Sequence, residues 1–293
     1  MIGDITDVQV WTNRPLGYWP QGVPRPAKFN GDWKTLSWNN NGVSRRLANA
    51  FTNKVKANVP KGLRWDLFLG AAPDVVYHPL YHPFNWRGWV DWGQGALGDM
   101  GAHLVDHPFW SLDLGYPTSI ETVSTPFNRA SYPHATTTYF EFPERGRRPA
   151  VRLIWYDGGL TPPKPEEMGE EPLKGEGGIL YIGSKGKMLQ DTYGLLPRLL
   201  PASKHKERKP PKPELPRIPG SMNGHEMNWV ESIQGKQQPS SPIEYAARLT
   251  EVMLLGIVAL RAGRKIYYDA ESVRITNHLP SNQFLGREYR TGW

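Results

Sequence analysis

Five strand-like segments follow one another between Ser119 and Gln190 with no helical pattern among them, and this succession limits the fold more than any other feature of the chain. They are Ser119–Ser124, Thr136–Phe142, Ala150–Tyr156, Gly178–Ile182 and Lys187–Gln190, bounded by clusters of Gly, Pro and Ser. The run Gly183-Ser-Lys-Gly186 between the last two reads as a hairpin turn. Ile5–Thr12 alternates apolar and polar residues and predicts one more strand. Helical spacing appears over Val43–Val59, where Pro60 stops it, and over Asp99–Leu114, with a break expected at Pro108. It returns over Asn223–Ile233 and Pro242–Ala262. In the latter, Leu249, Val252, Met253, Leu255, Ile257 and Leu260 mark a buried helix. A short strand pair, Lys265–Tyr268 and Val273–Thr276, follows. Strands in succession with helices set apart predict one α+β domain over residues 1–293. Its sheet is expected to be open and predominantly antiparallel, with helices on one face and no Rossmann domain. Residues 160–176 and 196–220 read as long loops, the second rich in Pro and Lys.

Several functional classes fall away on composition. The chain has no cysteine, which excludes disulfides, thiolate nucleophiles and Cys-based metal sites. No apolar run approaches the roughly 20 residues of a membrane span. The start, MIGDITDVQVW, does not read as a signal peptide. That predicts a cytoplasmic protein, or a secreted or periplasmic one had a leader been removed. The formal charge of +7 lies largely in Lys204–Lys212, read as a solvated loop or a docking site for an anion. Aromatics are not interleaved with that basic run, so nucleic acid is not an expected partner.

Chemistry concentrates between Leu63 and Leu114. Asp99 and His103 stand i,i+4, on one helical face. A carboxylate beside an imidazole raises its basicity and fixes its tautomer, leaving one nitrogen for proton transfer. The plainer alternative makes Asp99 a helix cap and His103 a satisfied first-turn residue. Arg87, between Trp86 and Trp89, carries a planar fork suited to a carboxylate. Trp86, Trp89 and Trp92 read as sugar-stacking faces or as core. His103 and His107 have zinc-compatible spacing, but Pro108 argues against a shared helix, and no metal is expected. Asp91, Asp99, Asp106 and Asp113 are close in sequence, yet only their separation in space decides for glycoside hydrolysis. Asp157 reads as a turn former. Neither G-x-G-x-x-G after a strand nor a P-loop occurs.

Six separated stretches, in order, resemble the C-terminal substrate domain of the Gfo/Idh/MocA oxidoreductases. They are W-D-L-F-L-G at Trp65–Gly70, W-R-G-W at Trp86–Trp89, G-A-L-G-D-M-G-A-H at Gly95–His103, W-Y-D-G-G at Trp155–Gly159, L-T-E-V-M-L-L-G at Leu249–Gly256 and the ending R-E-Y-R-T-G-W. The resemblance implies that Asp99 and His103 act on a sugar hydroxyl, in relatives together with a lysine from a nucleotide-binding half that has no counterpart here. It also makes residues 30–59 an insertion, and it implies association through the open sheet face into a homodimer or larger assembly.

With no cofactor expected, the remaining parts predict proton chemistry on an anionic oligo- or polysaccharide. The leading expectation is a polysaccharide lyase that cleaves uronic-acid glycans by β-elimination. His103 would be the base with Asp99 beside it, Arg87 the carboxylate neutraliser, and Tyr81 or Tyr77 the acid. Trp86, Trp89, Trp92, His78, His82 and Tyr156 would line the sugar. The alternatives are a substrate domain of a sugar oxidoreductase working with a separate Rossmann partner, a glycoside hydrolase, or a sugar-binding module.

Overall fold

The computed structural model describes residues 1–15, 58–78, 81, 84–209, 211–220 and 223–293. The helix expected over Val43–Val59 and the sugar contact expected of His82 fall largely or wholly outside these residues. The strands are β1 (Ile5–Thr12), β2 (Ser119–Ser124), β3 (Thr136–Phe142), β4 (Val151–Tyr156), β5 (Gly177–Gly183), β6 (Gly186–Asp191), β7 (Arg198–Leu200), β8 (Ile266–Asp269) and β9 (Arg274–Ile275). They form one open sheet in the order β7-β6-β5-β1-β4-β3-β2-β8-β9. Among the described residues only β1 and β4 pair in parallel; every other pair of neighbouring strands is antiparallel. The helices are α1 (Trp65–Leu69), α2 (Gly95–Leu104), α3 (Asp106–Leu112), α4 (Ala202–Glu207), α5 (Gly224–Ile233) and α6 (Ile243–Ala262). This is the α+β architecture that the order of elements predicts.

Two helices define the covered face. Val10, Ile120, Phe140, Leu153, Trp155 and Ile179 share one core with Leu97 and Leu104 of α2 and with Leu249, Val252 and Met253 of α6. Glycine sets how closely these layers approach. A Cβ at Gly256 would lie 2.5 Å from a Leu97 methyl and 3.1 Å from the Phe140 ring. One at Gly101 would lie 2.7 Å from the Met253 sulfur. The close crossing buries Leu97, Met100 and Leu104 and leaves Asp99 and His103 on the outward side of α2.

The second face is covered only in part. The strap between Leu160 and Gly177 lays Met168 on Trp11, Leu180, Leu189 and Leu200, and the Trp11 indole donates to the Lys174 carbonyl at 2.7 Å. Beyond the strap, Tyr139 and Glu141 are half-buried and Arg152 is exposed, and no described helix or loop named above packs on this side of β3 and β4.

The structure departs from the sequence reading in three places. The helix expected over Asp99–Leu114 begins at Gly95 and breaks at Val105, not at Pro108. Pro108 sits in the first turn of α3, where its missing N–H has no intrahelical partner to lose. Asp99 is therefore inside a helix and caps nothing. Finally, the basic segment begins in a helix, since Ala202–Glu207 is α4, and β7 lies in the stretch read as a long loop. β7 is too short to show a period, but Leu199 and Leu200 are buried against β6 and the strap.

Candidate functional site

A turn and a helix N-terminus, folded on each other, build the site. Asn85–Gly88 forms a 3-10 turn, after which the Gly93 N–H donates to the Trp89 carbonyl at 2.8 Å. A Cβ at Gly93 would meet the Arg87 Cα at 2.3 Å, so only glycine lets this backbone return over the turn. Gly95 takes a left-handed φ of 64°, and a Cβ there would press on the Tyr132 ring at 2.9 Å. The Tyr132 hydroxyl donates to the Gly93 carbonyl at 3.0 Å, and burial raises that phenol well above its ordinary range. W-R-G-W is thereby fixed against the start of α2.

The consequence is an ion pair across the two segments. Arg87 Nε donates to Asp99 Oδ1 at 3.0 Å, with 20% and 30% of the two side chains exposed. Arg87 Nη1 donates to the Phe84 carbonyl at 2.5 Å, and the guanidinium lies 3.7 Å from the Phe84 ring centroid and 5.2 Å from that of Trp86. Arg87 is thus held by a carboxylate, a carbonyl and two aromatic faces. One helical turn past Asp99, His103 is exposed, and its ring meets that of Tyr193 edge-on, at 5.3 Å and 87°. Among the described residues Asp99 bonds Arg87 and not His103.

The other residues singled out in the sequence go elsewhere. Tyr77, Tyr81, Trp89 and Trp92 join Trp65 and Phe68 in an aromatic knot with ring separations from 4.8 to 6.3 Å. Tyr81 and Trp89 are each 2% exposed and Tyr77 is 6% exposed. Burial raises the Tyr77 phenol. These rings give α1 and the following turns a core of their own, so Tyr77, Tyr81 and Trp89 present no open face in this arrangement, while Trp92 is half-buried. Trp86 remains exposed beside Arg87. His78 is fully buried and meets Tyr81 edge-on. Tyr156 sits at the end of β4 on the strap side of the sheet, away from α2, and burial raises its phenol. His107 lies on α3 while His103 lies on α2, and no group of three metal-ligating side chains occurs among the described residues. Asp157 is 2% exposed and accepts from the Thr136 N–H, the Thr136 hydroxyl and the Trp155 indole. It is a structural anchor between β3 and β4.

Sequence reading missed Tyr193. It stands on the turn between β6 and β7, about 90 residues from His103 along the chain, and no local spacing joins the two. The one available signal was an aromatic followed by Gly inside a Leu/Pro turn.

The described residues do not fit a dinucleotide. The Gly-rich run Gly93–Gly101 follows a turn, not a strand, and packing against Arg87, Tyr132 and Met253 accounts for Gly93, Gly95 and Gly101.

Comparison with known proteins gives a family match over part of the chain. Residues 22–130 match the model described as oxidoreductase family, C-terminal alpha/beta domain, of the Gfo/Idh/MocA group. The match includes Arg87, Asp99 and His103 and runs through residues 30–59. No curated protein matches the sequence. Similar solved structures include the WlbA dehydrogenase from Bordetella pertussis in complex with NADH and UDP-GlcNAcA. Identity is 15% over 92% of this chain and 56% of that one, with a TM-score of 0.47. An NAD-binding protein from Listeria innocua is 11% identical over 91% of this chain and 56% of that one, with a TM-score of 0.38. A putative oxidoreductase from Thermotoga maritima is also 11% identical, with the same coverage and a TM-score of 0.35. The chain thus spans little more than half the length of these proteins. Its residues 22–130 are similar to the C-terminal alpha/beta domain of the Gfo/Idh/MocA oxidoreductase family.

Proposed function

We propose that this chain is the substrate half of a carbohydrate oxidoreductase, with the nucleotide held by another domain or polypeptide. The observation that carries this is the outward face of α2, where Asp99 is fixed by Arg87 and His103 stands exposed one turn on. A hydroxyl above that face loses its proton to the His103 imidazole. Asp99, kept in place by Arg87, accepts a hydrogen bond from a neighbouring hydroxyl and orients the sugar. Oxidation of the resulting alkoxide requires a hydride acceptor, which the nucleotide-binding partner supplies. The exposed rings of Trp86 and Phe84 flank the site as apolar walls for a sugar face.

Elimination loses ground on the same geometry. A lyase needs a cation free to neutralise the substrate carboxylate, whereas Arg87 Nε is engaged by Asp99 and Nη1 by a carbonyl. The tyrosines assigned as acid are buried in the aromatic knot. The half-exposed side of β3 and β4, around Tyr139, Glu141 and Arg152, fits association with a second copy of the chain.

Calorimetric titration with neutral and acidic sugars, followed by product analysis, tests the reading. Binding is expected, and His103→Ala weakens it roughly tenfold, the effect of one lost hydrogen bond to a reacting group. No unsaturated product forms from polyuronates. Unsaturated uronate released without any nicotinamide would replace this reading with elimination, and absence of carbohydrate binding would end both.

A further inference from the structure

We infer that Tyr193 is a positioning residue, whose ring holds the His103 imidazole in the orientation the proton transfer needs. The inference rests on the proposed carbohydrate site but is carried by separate geometry, that of the turn joining β6 to β7.

That turn is built at a cost. Tyr193 has φ 64° and ψ 22°, and Leu196 has φ 50°, two side-chain-bearing residues in the left-handed region within four positions. Gly194, between them, is left-handed as well, at φ 68°. Such conformations persist only where the surroundings over-determine them, and they gather at functional sites. The determinants here are identifiable. The Asp191 N–H donates to the Leu195 carbonyl at 2.8 Å and closes the turn. The Asp191 carboxylate is held by Lys174 of the strap at 2.5 Å. Gly194 is pressed against α3, where a Cβ would lie 2.6 to 2.8 Å from three atoms of the His107 ring.

The result is an asymmetric contact. The closed turn fixes the backbone from which the Tyr193 ring projects, whereas His103 is exposed on α2. Edge-on packing at 5.3 Å gives the exposed His103 ring a wall on the side of this turn and so narrows the orientations open to it. Nearly half of Tyr193 is exposed, although a buried place would better suit an aromatic ring kept for stability alone. Leu195 and Leu196 beside it are exposed as well, so the turn adds little to the core. What the turn accomplishes is to deliver one ring to one face of α2. The phenol oxygen has no part in this assignment; the ring carries it.

The test is NMR of the histidine side chains, combined with carbohydrate titration, in the parent protein, Tyr193→Phe, Tyr193→Ala and Gly194→Ala. Tyr193→Ala is expected to move the His103 ring signals, by removing the ring current and freeing the imidazole. It should weaken carbohydrate binding roughly tenfold, as loss of a well-placed hydrogen bond from His103 does. Tyr193→Phe keeps the ring and leaves both readouts at parental values. Gly194→Ala forces the turn off His107 and reproduces the His103 shift with the tyrosine still present. His103 signals unmoved in Tyr193→Ala would overturn the inference, as would loss of binding in Tyr193→Phe with His103 unmoved, which would make the phenol a direct substrate contact. A parent that binds no carbohydrate, yet shows the His103 shift in Tyr193→Ala and none in Tyr193→Phe, would refute the proposed function and leave the ring contact standing.

Discussion

Replacing Asp157 with asparagine should make the protein's stability respond differently to pH. The carboxyl is 2% exposed, and burial pushes it up to about 6 from an ordinary 3.8, against the pull of three hydrogen-bond donors from Thr136 and Trp155. Between those two values the folded state binds the proton more tightly than the unfolded chain. Stability contributed by this group is therefore full below about 3.8 and is lost as pH rises through about 6. The difference between the two values corresponds to about 3 kcal/mol. The side-chain amide of the Asp157→Asn variant does not titrate. It satisfies fewer of the three donors, which adds a constant offset of about 1–3 kcal/mol against the variant. Urea unfolding of both proteins across about pH 3 to pH 7 isolates the pH-dependent part, since every other carboxylate is common to both. The stability difference should move in favour of the variant by about 3 kcal/mol as pH rises. A flat difference, or one moving in favour of Asp157, would show that the donors outweigh desolvation and would refute the reasoning.

Three further outcomes are expected. Gly256→Ala gains up to about 1 kcal/mol of helix propensity but forces Leu97 and Phe140 apart. The net should be a loss of about 1–2 kcal/mol, visible as a lower denaturation midpoint. Arg87→Ala removes a partly exposed ion pair, so stability should change by less than about 1 kcal/mol while carbohydrate binding weakens roughly tenfold; equal losses in both would make Arg87 structural only. Arg290 donates to the Gly70 carbonyl at 2.7 Å and to the Asp66 carboxylate at 2.6 Å, docking the C-terminus on α1. Arg290→Ala should raise amide exchange over residues 287–293 and cost about 1–2 kcal/mol.

The fold was legible wherever one pattern ran long enough to be read. β3 is a run of Thr and aromatic residues, and α6 keeps an apolar face through Leu249, Val252, Met253 and Leu260, so both stand within a residue or two of where the sequence put them. β7 has three residues and α4 six, too few for either period, and both lie in a Pro- and Lys-rich stretch whose composition reads as loop. The start of α2 was missed because Gly95 and Gly98 look like breakers, although Gly95 packs on the Tyr132 ring and Gly98 on the Gln94 side chain.

The candidate site was legible in part. Asp99 and His103 were found because two residues four apart in one helix share a face whatever surrounds it. The aromatics were harder: nothing local separates Trp86, which is exposed, from Trp89, which is 2% exposed and packed on Tyr81. That distinction is made by α1 folding back on the turn. Tyr193 lay beyond reach for the same reason, since its place beside His103 depends on the pairing of β6 and β7 and on the contact of Gly194 with α3.

The central claim is that carbohydrate binds over the outward face of α2, and histidine-resolved NMR tests it most directly. The chain has eight histidines as internal controls. Titration with the tightest-binding sugar should move the His103 signals in step with occupancy and leave those of His205, His225 and His278, on other elements, in place. Saturable binding with His103 unmoved would contradict the account.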